Sequence, residues 1–296
     1  MWRTFARART ASLALAAVAA VAALAGAGPV AAAVIEDHYF SASDGLKLHY
    51  RQAGSGNRVL VFIPGWLMPA DIFDRQLEDL GNEFAVYALS PRSQGRSDLY
   101  AGVHTAALRA RDIDEFVRHV APGEFTLVGW SLGVMEGLDY VERYRPKGLR
   151  ALVLIDNSIG AGTPPKPGKR PKSAHVPTEE ERRASLRNFI NSMFKKPQAD
   201  DFIEVIQASA FRPSAQIATE LLAKPYPREY YKSVIYEVNV PTWYAITPRF
   251  REQGDELRAH LPAARVTVFA DAGHALFADD PTEFNAGLRQ FLGTVY

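Results

Sequence analysis

Gly129-Trp130-Ser131-Leu132-Gly133 carries the strongest chemical signal in this 296-residue chain. It follows the apolar run Phe125–Val128 and opens a stretch of helical spacing, Leu132–Tyr144. A sharp strand-to-helix turn would present Ser131 Oγ at the C-terminal edge of a sheet, with small residues two positions to either side relieving the crowding. The next backbone N–H, from Leu132, points into the same space and suits a developing oxyanion. The chemistry implied is attack by a hydroxyl, which needs a base to remove its proton. The five letters alone are weak evidence, because Gly and Ser are common residues; their weight comes from the strand before and the helix after.

The elements that would position this turn alternate. Apolar runs typical of buried strands occupy Val59–Ile63, Phe84–Leu89, Phe125–Val128 and Ala151–Ile155, separated by helical spacing over Asp71–Leu80, Thr105–Val120 and Leu132–Tyr144. Alternation of this length predicts an α/β fold, a mostly parallel, doubly wound sheet covered on both faces. Tyr39–Ser43 and Leu46–Ala53 flank Asp44-Gly45 and predict an antiparallel hairpin at one edge. After Asp156 the alternation breaks. Residues 163–177 hold five Pro and four Lys or Arg with no acid, which reads as an exposed linker. Helical patterns follow at Thr178–Phe194, Asp200–Phe211, Ser214–Ala223 and Arg228–Val238, with Thr178 and Glu181 spaced as a capping box. The sheet pattern resumes at Thr242–Ile246, then a helix over Arg251–His260, the strand Arg265–Phe269 and a helix over Pro281–Leu292. A core of 34–156 and 240–296 thus carries a helical cap insertion, 157–239, too large for an ordinary connection.

The first 33 residues read as a leader. Arg3, Arg7 and Arg9 precede a run of Ala, Leu and Val that ends in small residues near Ala33, the layout of a cleaved export signal; an uncleaved anchor is the competing reading. The expectation is a periplasmic or secreted protein, with membrane contact only through an uncleaved leader. Loss of residues 1–33 would take the formal charge from +1 to −2. Neither value provides a field for nucleic acid. The chain has no Cys, so disulfides, thiol nucleophiles and thiolate metal sites are excluded. No P-loop, dinucleotide fingerprint or metal-ligand cluster stands out, and no cofactor or metal is expected.

The sequence resembles the α/β-hydrolase family over essentially residues 36–296. Ile63-Pro64-Gly65-Trp66 resembles that family's oxyanion loop after the third strand, with Pro64 in place of the usual His. Arg92-Ser93-Gln94-Gly95-Arg96-Ser97 resembles its turn after the fourth strand, and Gly273-His274-Ala275-Leu276-Phe277 its pattern after the last. The resemblance implies His274 as general base and the backbone N–H groups of Trp66 and Leu132 as oxyanion donors. The other histidines, His38, His49, His104, His119, His175 and His260, lack such placement and are expected to be surface or structural residues.

The acid is less plainly marked. The family most often carries it just beyond the seventh strand, where Thr247-Pro248-Arg249-Phe250-Arg251 offers none. Glu252 and Asp255 follow on the helix. Some branches place the acid at the end of the sixth strand instead, where Asp156 closes Leu152-Val153-Leu154-Ile155-Asp156. The chain order Ser131, Asp156, His274 favours Asp156, with Glu252 and Asp255 as alternatives.

Ser131 in place of an Asp nucleophile disfavours dehalogenase and epoxide hydrolase chemistry and supports acyl transfer. The insertion's aromatics, among them Phe189, Phe194, Phe202 and Tyr231, are expected mainly in its own core or seam. The remainder would face Ser131 with Trp66, Leu67 and Met68 and favour an apolar group. The leading expectation is a serine hydrolase of small to medium apolar carboxylic esters. The alternatives are a cofactor-free perhydrolase of the non-haem haloperoxidase type and a non-catalytic ligand-binding member of the fold.

Overall fold

Among the described residues, eight strands form one sheet: β1 (Ile35–Ser41), β2 (Lys47–Ala53), β3 (Val59–Ile63), β4 (Ala85–Leu89), β5 (Phe125–Trp130), β6 (Leu149–Ile155), β7 (Thr242–Ile246) and β8 (Arg265–Val268). Their order is β1-β2-β4-β3-β5-β6-β7-β8. The computed structural model describes residues 32–121, 123–164, 177–223 and 226–296. One compact unit spans Ala33–Tyr296. The stretches expected to be an export leader and an exposed linker, the latter with His175, lie outside the described residues apart from their ends. No helix among the described residues is long and apolar enough to cross a membrane.

The hairpin lies where its turn predicts, with Gly45 at φ +83° and β1 antiparallel to β2 at the sheet edge. β2 pairs antiparallel with β4, and every later pairing is parallel. β3 and β5 are buried throughout, as their unbroken apolar runs require. Strand periodicity then divides their side chains between two cores. Leu60, Phe62, Val128 and Trp130 face one with α1 (Asp74–Leu80) and α10 (Pro281–Leu292). Val59, Val61, Ile63 and Leu127 face the other with α2 (Ala106–Val120), α3 (Leu132–Tyr144) and α8 (Arg251–His260).

Between β6 and β7 run α4 (Glu179–Ser192), α5 (Asp200–Phe211), α6 (Ala215–Leu222) and α7 (Arg228–Glu237). The capping box at Thr178 and Glu181 is present. These helices divide by packing. Tyr231, Val234 and Ile235 of α7 join the core beneath α3, the place of a crossover helix that two adjacent parallel strands require. Leu186, Ile190, Ile206, Ala218 and Leu221 of α4, α5 and α6 join the opposite core, which also holds Leu67, Met68 and Ala275 from loops at the strands' C-terminal ends.

Several boundaries differ from expectation: β1 begins at Ile35 and β6 at Leu149, both earlier than their predicted runs, and the Asp71–Leu80 stretch opens as a 3₁₀ turn before α1. β5 continues through Gly129 and Trp130, because these residues still pair with Leu154 and Ile155 of β6. The loop before α10 also contains a single turn of helix, α9 (Leu276–Asp279). Because the sheet order reverses direction around β3, the C-terminal ends of β3 and β5 border the crevice where open α/β sheets bind ligands.

Candidate active site

Ser131 caps α3 with φ +54° and ψ −122°, a conformation that non-glycine residues rarely adopt. Such a residue costs about 1–3 kcal/mol and persists only where its surroundings over-determine it. Here the surroundings do so. Ser131 N–H donates to Ile155 O at 3.0 Å, and Asn157 Nδ2 donates to Ser131 O at 2.6 Å. A Cβ on Gly133 would stand 2.2 Å from Ile63 O, and one on Gly129 would stand 2.5 Å from Gly133 O. The flanking glycines are therefore required by backbone approach, in agreement with the reading of the motif.

His274 Nε2 lies 2.8 Å from Ser131 Oγ, and its Nδ1 lies 2.8 Å from Asp156 Oδ2. The loop bearing His274 leaves β8 and enters α9. Trp130 Nε1 donates to His274 O at 2.9 Å and Ala275 N–H to Met193 O at 2.9 Å, fixing the imidazole's backbone from both sides. Gly273 is forced by the same approach, since a Cβ there would stand 2.6 Å from Met193 O. Asp279, which sequence reasoning missed, accepts from the backbone N–H groups of Gly273, Lys195 and Lys196. It ties the histidine loop to the end of α4.

Asp156 is buried, with φ +44°, at the end of β6. Its Oδ1 accepts from Thr247 N–H and Thr247 Oγ1, which leaves Oδ2 for His274. Glu252 and Asp255 are not brought to His274. Glu252 accepts from Thr163 N–H at 2.9 Å and Thr163 Oγ1 at 2.5 Å, and Asp255 pairs with Arg258 on the surface. The hydrogen bonds from Thr163 hold the Glu252 carboxyl below its ordinary range.

The backbone after β3 completes the site. A Cβ on Gly65 would fall 2.9 Å from Ser131 Cβ and 3.3 Å from its Oγ, so this loop runs directly over the hydroxyl and brings Trp66 beside it. Leu132 N–H is the first amide of α3 and has no intrahelical acceptor. Trp66 meets Phe189 of α4 edge-on, with ring centroids 5.3 Å apart. Phe194 and Phe202 pack against the same core, whereas Tyr231 belongs to the core on the other face of the sheet.

Among the described residues, two further Ser–His–carboxylate chains occur. His49 lies 3.0 Å from both Ser90 Oγ and Asp37 Oδ1. His104 lies 2.8 Å from Ser93 Oγ and 3.1 Å from Glu220 Oε2. Ser90 and Ser93 are fully buried, and burial pushes both imidazoles below their ordinary pKa against the pull of their carboxylates. Neither hydroxyl can meet a substrate, so both chains are structural. Ser131 and His274 are only part-buried, which sets their chain apart. Among the described residues, no His, Asp and Glu side chains group to hold a metal ion.

The alpha/beta hydrolase family pattern matches residues 60–286. The chain belongs to that family. Among curated proteins it is 24% identical over 263 residues to the serine hydrolase BPHL of Homo sapiens, covering 85% of this chain and 84% of that one. It is 33% identical over 118 residues to a non-heme haloperoxidase of Rhodococcus erythropolis, covering 40% of this chain and 43% of the relative. That match and the one to a further curated hydrolase each span under half of the relative's length. Among solved structures, an esterase from Exiguobacterium antarcticum superposes with a TM-score of 0.70 at 21% identity, covering 86% of this chain and 98% of that chain. This hydrolase therefore shares its fold with esterases and has a haloperoxidase among its relatives.

Proposed function

We propose that this hydrolase cleaves small to medium apolar carboxylic esters through an acyl-enzyme on Ser131. The observation carrying the reading is the part-exposed Ser131 hydroxyl 2.8 Å from an imidazole whose other nitrogen meets a buried carboxylate. In this reading His274 Nε2 takes the Ser131 proton as Oγ attacks the ester carbonyl, and Asp156 stabilises the imidazolium and fixes its tautomer. The N–H groups of Trp66 and Leu132 receive the oxyanion. His274 then protonates the departing alcohol, and the same residues activate water to release the acid. Trp66 follows the glycine that runs over Ser131 and packs edge-on against Phe189 of α4, and this apolar pair favours an uncharged acyl or alcohol group.

A profile of hydrolysis across nitrophenyl esters of rising acyl length tests the reading. Turnover that peaks at short to medium chains and vanishes in Ser131→Ala supports it; absence of turnover on all of them overturns it. The haloperoxidase relative favours a second reading, a cofactor-free perhydrolase. Peracid formation from acetate and peroxide, outpacing ester hydrolysis, would select that reading. A non-catalytic binding role predicts neither activity.

Export is part of the proposal and rests on the leader's composition. Protein recovered outside the cytoplasm should be soluble and begin near Val34; an intact N-terminus in the membrane pellet would show an anchor instead.

A further inference from the structure

The loop bearing the Trp66 amide holds an unfavourable conformation. Met68 N–H donates to Gly65 O at 3.2 Å, closing a turn in which Leu67 sits third with φ +63°. That position and angle normally select Gly or Asn. Leu67 stays there because its side chain is buried in the core and because two hydrogen bonds from the helical insertion fasten the loop. Trp66 Nε1 donates to Ala218 O of α6 at 2.8 Å. Ser209 Oγ of α5 donates to Leu67 O at 3.0 Å while accepting from Gly95 N–H at 2.9 Å. Ser209 is buried, and this arrangement uses both the donor and an acceptor of its hydroxyl. On the sheet side, the next bond along the chain is Ala70 N–H to Ser90 Oγ at 3.0 Å, beyond the turn. Without Ser209, Leu67 O would lose its donor, and the strained residue could relax toward negative φ, rotating the peptide next to the Trp66 amide.

We infer that Ser209 is a positioning residue: through Leu67 O it aims the Trp66 N–H at the oxyanion, so that the insertion builds the active site as well as covering it. This rests on the serine hydrolase reading above. An oxyanion donor displaced by a few tenths of an ångström loses transition-state binding while leaving ground-state binding nearly intact.

The test compares Ser209→Ala with Glu220→Ala in the full chain, on one nitrophenyl butyrate assay and on binding of phenylboronic acid as a tetrahedral mimic. Glu220 also ties the insertion to the core, through His104, without touching the oxyanion loop. Ser209→Ala should lower kcat about 10–30-fold with KM within twofold and weaken boronate binding in parallel. Glu220→Ala should keep kcat within about twofold. An unchanged kcat in Ser209→Ala, an equal loss in Glu220→Ala, or a loss confined to KM would overturn the inference. Melting temperatures of both variants show whether a loss is unfolding, and Ser209→Thr, which keeps the hydroxyl, should retain most of kcat. Failure of the hydrolase reading is seen separately, as full ester turnover by Ser131→Ala.

Discussion

Thr247 donates both its backbone N–H and its hydroxyl to one oxygen of Asp156, Oδ1, each at 2.7 Å. The other oxygen is left facing His274. A buried carboxylate that accepts two such bonds on one oxygen is held in rotation. Thr247→Val keeps the shape and the backbone bond but removes the hydroxyl, and should lower kcat about tenfold, while Thr247→Ser should stay near the parent. Steady-state kinetics beside melting temperatures check this; parent-like turnover in Thr247→Val would show that the hydroxyl does not matter.

Asp156→Asn should leave the fold intact and reduce turnover by about 10⁴, as expected when the imidazole takes the wrong tautomer. Glu252→Gln and Asp255→Asn should cost less than about twofold, since the first carboxylate serves Thr163 and the second Arg258. The three variants are measured on one ester at one pH. A Glu252 or Asp255 variant more damaged than Asp156→Asn would reassign the acid.

Much of this was legible in the sequence because it is local. The strand–turn–helix around Ser131 lies within one stretch of chain, and Asp156 simply ends an apolar strand. His274 was legible through its resemblance to a family pattern. The supporting residues were not. Thr247 meets Asp156 across 91 residues and Ser209 meets Leu67 across 142, and neither spacing carries any period. Asp279 falls between the Gly273–Phe277 pattern and the helix over Pro281–Leu292, and nothing local says that it gathers three amides. The buried serines beside His49 and His104 were equally invisible, although both histidines fit the expected structural role. The Thr247-Pro248 segment runs extended at Thr247, as the following proline requires, before a 3₁₀ turn leads into α8.

Burial of Glu136 should make the fold's stability depend on pH. It is buried on α3, and burial pushes its carboxyl up to about 7, against the pull of Arg109 at 3.1 Å and with a smaller push from Asp112 and Asp139. The folded state thus holds this proton more tightly than the unfolded chain does. The associated stability is full below the ordinary value of 4.5 and is lost as pH rises toward 7. Thermal melts should show a smaller fall in Tm between pH 5 and pH 8 for Glu136→Gln than for the parent. Asp74, also pushed up to about 7, contributes to both proteins and cancels in the comparison. An identical fall in both would remove Glu136 as the source.

Gly133→Ala places a methyl against Ile63 O, where backbone on both sides leaves no room. It should destabilise the protein by about 1–3 kcal/mol or more, as overpacking does, and denaturant midpoints would report it. Stability equal to the parent's would mean that the elbow can open without cost.

The central claim is that Ser131, activated by His274, is the nucleophile, and stoichiometric labelling with a fluorophosphonate followed by peptide mapping tests it most directly. The account predicts one adduct per chain, on Ser131, formed in step with loss of ester hydrolysis, much slower in His274→Ala and absent in Ser131→Ala. An adduct on another serine, or full ester turnover by protein whose Ser131 is already labelled, would contradict it.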